Sequence, residues 1–126
     1  MTSYLRGIHT PHRKGTKDKG AFRMDIPKTV TIPMAMHIGK PAIPVVKAGD
    51  MVKVGTKIAE ADGYISSPVY SSVSGKVTKL SDYLMYNGAT TTAIVIESDG
   101  EMAIDESIAP PTVTNQKELV EAVKNA

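Results

Sequence analysis

Between residues 34 and 98 the chain never carries an apolar run long enough to build a helix, and turn signals interrupt it every few residues. The runs cover 43–46, 51–54, 57–61, 64–66, 69–73, 76–80 and 91–97. The breaks are Gly49-Asp50, Gly55, Asp62-Gly63, Pro68, Gly75 and Asn87-Gly88. Strands this short and this regularly spaced predict a mainly β fold, a small barrel or sandwich, and not a parallel βαβ sheet. With one Phe, five Tyr and no Trp, the core must rest on Val, Ile, Met and Ala. The methionines are expected to fill it, with Met34 and Met36 set aside as loop residues.

Four stretches follow from this pattern. Residues 1–28 show no sustained period and many breakers, and read as an extended basic arm that proteases should reach first. Residues 29–98 form the β domain, opened by the alternating, β-branched Thr29-Val30-Thr31-Ile32-Pro33. Residues 99–111 read as an acidic linker closed by Pro110-Pro111. Residues 112–126 read as a helix, capped by Thr114 or Asn115, with Leu119, Val120 and Val123 as its apolar stripe. Such a helix is marginal alone and needs something to pack on.

Charge is unevenly distributed. Residues 1–30 hold seven Lys/Arg against two acids, and residues 97–126 hold seven acids against two lysines. A basic arm can meet nucleic acid, a membrane surface or an acidic protein. Only Tyr4 and Phe22 are available for base stacking, so nucleic acid is not the expected partner. There is no cysteine, which excludes disulfides, thiolate metal sites, a cysteine nucleophile and cysteine-held iron–sulfur clusters within these residues. No apolar run approaches the ~20 residues of a membrane span, and no signal-peptide core opens the chain. These features predict a soluble, cytoplasmic chain.

No catalytic constellation emerges. His9 and His12 lack a third ligand. His37, beside Ile38-Gly39, reads as a turn histidine bonded to backbone. Ser66, Ser67, Ser71, Ser72 and Ser74 lack a nucleophile elbow and are expected to face solvent. Gly75-Lys76 lacks the Ser/Thr of a phosphate loop. Asp50, Glu60, Asp62 and Asp82 read as turn and surface carboxylates.

The most specific stretch is Val45-Val46-Lys47-Ala48-Gly49-Asp50-Met51-Val52-Lys53-Val54-Gly55-Thr56-Lys57-Ile58-Ala59-Glu60-Ala61, followed by Ser67-Pro68-Val69 and by Val73-Ser74-Gly75-Lys76-Val77. Gly49-Asp50 turns the chain, and Val52 and Val54 share a face while Lys53 points to water. This run resembles the barrel-sandwich hybrid of biotinyl and lipoyl carrier domains. In those families a hairpin tip presents the lysine that receives the cofactor. Here the tip reads Glu60-Ala61-Asp62-Gly63-Tyr64-Ile65, and no lysine lies between Lys57 and Lys76.

A fuller resemblance joins Ile32-Pro33, the run from His37 to Asp50, the run from Lys57 to Val77, and Ala93-Ile94-Val95-Ile96-Glu97-Ser98-Asp99-Gly100. In order and spacing these segments resemble the N-terminal domain of RnfC, a component of the Rnf electron-transport complex. Gly7-Ile8-His9-Thr10-Pro11 is similar to that family's G-G-I-H-P-P start, with Arg6 and Thr10 as departures. The resemblance implies a barrel-sandwich hybrid that docks and scaffolds without catalysis, holding no cofactor of its own. It implies that the helix at 112–126 leads into a nucleotide-binding domain, in a parent protein that binds FMN and NADH and carries two 4Fe–4S clusters. That parent would pass electrons between ferredoxin and nicotinamide, coupled to sodium or proton transport.

Implied partners are the other Rnf subunits and the rest of RnfC, with the anionic membrane surface as a further contact. The implied place is the inner face of the bacterial cell membrane, held there peripherally. The candidate partner-contact residues are His9, Arg13, Lys14, His37, Tyr64 and Tyr70. The alternatives are a biotin- or lipoate-like carrier and a small-ligand-binding β module using the serine-rich face.

Overall fold

The computed structural model describes residues 11–124. Among these described residues seven strands and one helix follow in order: β1 Thr29–Pro33, β2 Ile43–Pro44, β3 Met51–Val52, β4 Lys57–Glu60, β5 Val69–Tyr70, β6 Gly75–Leu84, β7 Thr90–Ser98 and α1 Gln116–Lys124. They make two antiparallel sheets, ordered β1-β7-β6-β3 and β2-β4-β5. Residues from both sheets meet in one core. Ile32, Val52, Val77, Ile94 and Ile96 come from the larger sheet, and Ile58, Ala59 and Val69 from the smaller. A mainly β barrel-sandwich is thus the architecture of this chain.

The closing turns follow local chemistry. At the Lys47–Asp50 corner, the Lys47 N–H donates to the Asp50 carboxylate at 2.9 Å and the Asp50 N–H donates to the Lys47 carbonyl at 3.1 Å. Gly75 opens β6 at φ 149° against β7. A Cβ there would collide with the Glu97 carbonyl oxygen, so only glycine lets the two backbones come this close.

Several expectations are corrected. Residues 64–66 form no strand. The chain bends at Gly63-Tyr64-Ile65, and the Ser66 hydroxyl and Ile65 carbonyl bond the neighbouring loop instead of a ladder. β6 runs on to Leu84, beyond the predicted end at residue 80, because its outer half pairs with β7. A register shift interrupts the ladder between Val77 and Lys79; beyond it β6 is largely exposed, while Ala93 and Ile94 of β7 remain buried. Met34 is no loop exception. Its N–H donates to the Thr92 carbonyl, and its side chain is among the largest fully buried ones. Met36 is exposed, as are Met24 and Met51. The predicted helix forms, with Asn115 as its cap: its side-chain oxygen accepts from the Lys117 and Glu118 N–H groups, both at 3.0 Å. Its apolar stripe meets no core, and α1 has no buried residue.

The acidic stretch after β7 runs along the barrel before it reaches α1. Ser74, buried just before β6, donates from its hydroxyl to Asp99 Oδ1 at 2.6 Å and accepts from the Ala103 N–H at 3.0 Å. Val54 and Ile104 form an isolated parallel bridge, flanked by Val54 N–H to Ala103 carbonyl and Asp105 N–H to Val54 carbonyl. Met102 adopts φ 54° and packs against the core. A left-handed non-glycine residue costs roughly 1–2 kcal/mol, offset here by burying part of a methionine side chain.

Candidate functional site

Two connections meet at one end of the barrel: residues 34–42, between β1 and β2, and residues 61–68, between β4 and β5. The Lys40 N–H donates to the Ile65 carbonyl at 2.9 Å. The Ser66 hydroxyl donates to the Lys40 carbonyl at 2.9 Å and accepts from the Asp62 N–H at 3.0 Å. The Lys40 ammonium lies 2.6 Å from the Asp62 carboxylate. Gly39, at φ 101°, presses so close that a Cβ would collide with the Ile65 carbonyl oxygen.

His37 joins the same network and bonds backbone, as expected of it. Its Nδ1 lies 3.2 Å from the Ile38 carbonyl, and its Nε2 accepts from the Ser67 N–H at 3.4 Å. Those two partners fit one neutral tautomer, with the proton on Nδ1 and the Nε2 lone pair free to accept.

This stiff base presents apolar side chains to solvent. Tyr64 is 102% exposed and Ile38 87%, with Met36 and Ile65 both beyond half. Exposed apolar groups are ordinary singly; here four stand on two loops that are bonded to each other. The energetic cost of ordering these loops is met within the fold, so little remains at the moment of contact.

The remaining candidates are dispersed. Tyr70 lies away from the tip, in β5, lining a groove of about 750 Å³ with Gly55, Ile108, Pro111, Val113 and Ala122. Arg13 and Lys14 are exposed on the arm. His9 lies outside the described residues. Sequence reading singled out His37 and Tyr64, set Met36 aside as an exposed loop residue, and missed Ile38 and Ile65. The available signal was two large apolar residues beside Gly39 and Gly63, where a turn leaves no face to bury them.

The serines are partly corrected. Ser72 is exposed, but Ser71 and Ser74 are buried and bonded within the fold, Ser71 to the Val73 carbonyl at 2.7 Å. The carboxylates with displaced titration are likewise structural. Asp105 is held down from 3.8 to about 2, first by the Thr56 hydroxyl at 2.5 Å and then by the Ser107 N–H and hydroxyl. The Ser74 hydroxyl, then the Glu101 N–H, lowers Asp99. Glu118 is lowered by the Thr114 hydroxyl and N–H.

The chemistry of the tip does not fit a carrier. No lysine lies between Lys57 and Lys76; Lys57, at the start of β4, is ion-paired with Glu60, and Lys40, from the neighbouring loop, is ion-paired with Asp62. Nor do these residues fit an iron–sulfur cluster, which needs thiolates this chain lacks. Among the described residues, no group of three or more His, Asp or Glu could hold a metal. Again among them, no helix is long and apolar enough to cross a membrane.

Fold and tip together define a barrel-sandwich module whose carrier position is occupied by exposed apolar side chains. The chain belongs to the RnfC barrel sandwich hybrid domain family, which matches residues 2–101. It is 44% identical over 109 residues to the C subunit of the Na(+)-translocating ferredoxin:NAD(+) oxidoreductase complex of Acetobacterium woodii, covering 86% of this chain and 25% of that protein. It is 42% identical over 120 residues to the C subunit of the proton-translocating ferredoxin:NAD(+) oxidoreductase complex of Clostridium ljungdahlii, covering 94% and 26%. The C subunit of the ion-translocating oxidoreductase complex of Rhodobacter capsulatus is 33% identical over 98 residues, covering 75% and 19%. The chain therefore spans about a quarter or less of the length of these relatives.

Proposed function

We propose that this chain is the N-terminal docking module of an RnfC protein in an ion-translocating ferredoxin:NAD oxidoreductase complex, and that it performs no catalysis itself. Its task is to hold the parent protein against its neighbours and against the rest of its own chain. Electron transfer belongs to the parent, through flavin, NADH and iron–sulfur clusters bound outside these residues. The module sits at the cytoplasmic face of the membrane, attached through the complex.

The observation that carries this reading is the tip. Met36, Ile38, Tyr64 and Ile65 stand in water on loops already fixed by hydrogen bonds. Their partner is a complementary apolar pocket on another member of the complex, in which the aromatic Tyr64 supplies the largest single contact. The neighbouring charges Lys40 and Asp62 neutralise each other, so the contact demands no strongly charged partner.

The test replaces Tyr64 and Ile65 together by serine in the full-length parent. Neither side chain is buried, so the barrel keeps its unfolding midpoint. Co-purification of the other subunits is expected to fall at least about tenfold, the size of one lost hot spot. Undiminished co-purification with the double variant would reject the tip as the docking surface.

A further inference from the structure

Upstream of β1 the chain reads Phe22-Arg23-Met24-Asp25-Ile26-Pro27. Apolar and charged side chains alternate with period two, the pattern of a strand with one face to bury. Nothing among the described residues buries it: Phe22 is 89% exposed, Met24 72% and Ile26 48%. Among the described residues, the backbone of 20–27 makes no hydrogen bond. The last rung that ties the segment to the barrel is one residue further on, where the Ser98 N–H donates to the Lys28 carbonyl at 2.9 Å.

The position explains why the face stays open. Among the described residues β1 is an edge strand, paired with β7 alone. β7 ends at Ser98, so residues 22–26 run on past the strand that would pair them. A strand-patterned segment is thereby left with open hydrogen-bonding groups along its backbone and an apolar face in water.

Charge specifies the partner. Residues 11–28 carry Arg13, Lys14, Lys17, Lys19, Arg23 and Lys28 against Asp18 and Asp25. Among the described residues none of these six cations is ion-paired. We infer that residues 22–26 add as a β-strand to the open sheet edge of an acidic partner protein. Phe22, Met24 and Ile26 enter apolar pockets there, and the flanking cations meet its carboxylates. Strand addition satisfies the backbone groups and the period-two face together. A lipid surface would take the cations and the apolar side chains but leave the extended backbone unpaired in a poorly hydrated layer, where that is costly.

This goes beyond the tip-docking reading and uses different residues. Amide hydrogen exchange of residues 20–28 is measured in the full-length parent, alone and within the complex it co-purifies with. Protection of at least about tenfold at alternating amides is expected in the complex only, lost in a Phe22→Ser/Met24→Ser variant and weakened by added salt. That variant touches no barrel contact, so its fold is retained. Three results would overturn the inference: no protection in the complex, the same protection with phosphatidylglycerol vesicles alone, or protection in the isolated chain that grows with its concentration. Absence of arm protection while the tip variant still fails to co-purify sinks only the strand-addition inference.

Discussion

The tip and the arm both hold large apolar side chains in water, but on opposite kinds of backbone. At the tip, Gly39, Lys40, Asp62, Ser66 and Ser67 are locked across two loops by hydrogen bonds, an ion pair and a close backbone approach. Along the arm, the backbone of 20–27 is bonded to nothing among the described residues. Ordering a free residue costs about 1–2 kcal/mol, so five arm residues forfeit several kcal/mol on binding that the tip does not. A rigid patch suits a permanent contact; an arm that folds on its partner can reach further and bind more weakly per unit area.

The sharpest way to break this contrast is through its glycines. Gly39→Val places a side chain in the Ile65 backbone at a left-handed φ and is expected to cost about 3 kcal/mol, read by urea unfolding, with exchange rising in residues 36–41 and 61–67. Gly20→Ala meets nothing within 4 Å and should leave the unfolding midpoint unchanged. Equal effects at the two positions would erase the distinction. Limited trypsin treatment probes the same difference kinetically. Cleavage after Lys19 and Arg23 is expected at least about tenfold faster than after any lysine of the barrel, since it needs no opening of the fold. First cuts after Lys53 or Lys76 would reverse the ranking.

The smallest effect concerns the segment that is intermediate between tip and arm. Asp105 anchors it through Thr56 and Ser107. Its carboxyl titrates near 2 in the folded chain and near 3.8 otherwise, so the unfolded state takes up the proton first as pH falls. The stabilisation is complete above about pH 4 and is lost as pH drops towards 2. The urea midpoint should fall across that window, and less steeply in Asp105→Asn. Parallel pH profiles for the two proteins would remove Asp105 as the anchor.

Much of the barrel is legible because its rules are local. Val52, Val77, Ile94 and Ile96 sit in alternating runs, and Gly49-Asp50 and Asn87-Gly88 are turn pairs. What sequence reading missed depends on partners far along the chain. Met34 is buried because its backbone is held against β7, and Ser71 and Ser74 are buried because hydroxyls can satisfy backbone and carboxylate groups inside a fold. The outer half of β6 carries Ser81 and Asp82, which hide a strand whose pairing comes from residues 90–95. The alternation at Phe22, Met24 and Ile26 was lost among the breakers of the arm. At the tip, the missing lysine was readable, whereas the meeting of residues 34–42 with 61–68 exists only once β1, β2 and β4 have packed.

The length of the β6–β7 hairpin has a practical consequence. Its base, as far as Ile94 and Ala93 of β7, seals the core, and from Asp82 and Thr92 onward both strands are exposed or half-exposed up to the turn at Asn87-Gly88. Length and sequence at that far end are decoupled from the interior. The turn is therefore a handle on which an epitope or fluorophore can be mounted to report where the module sits.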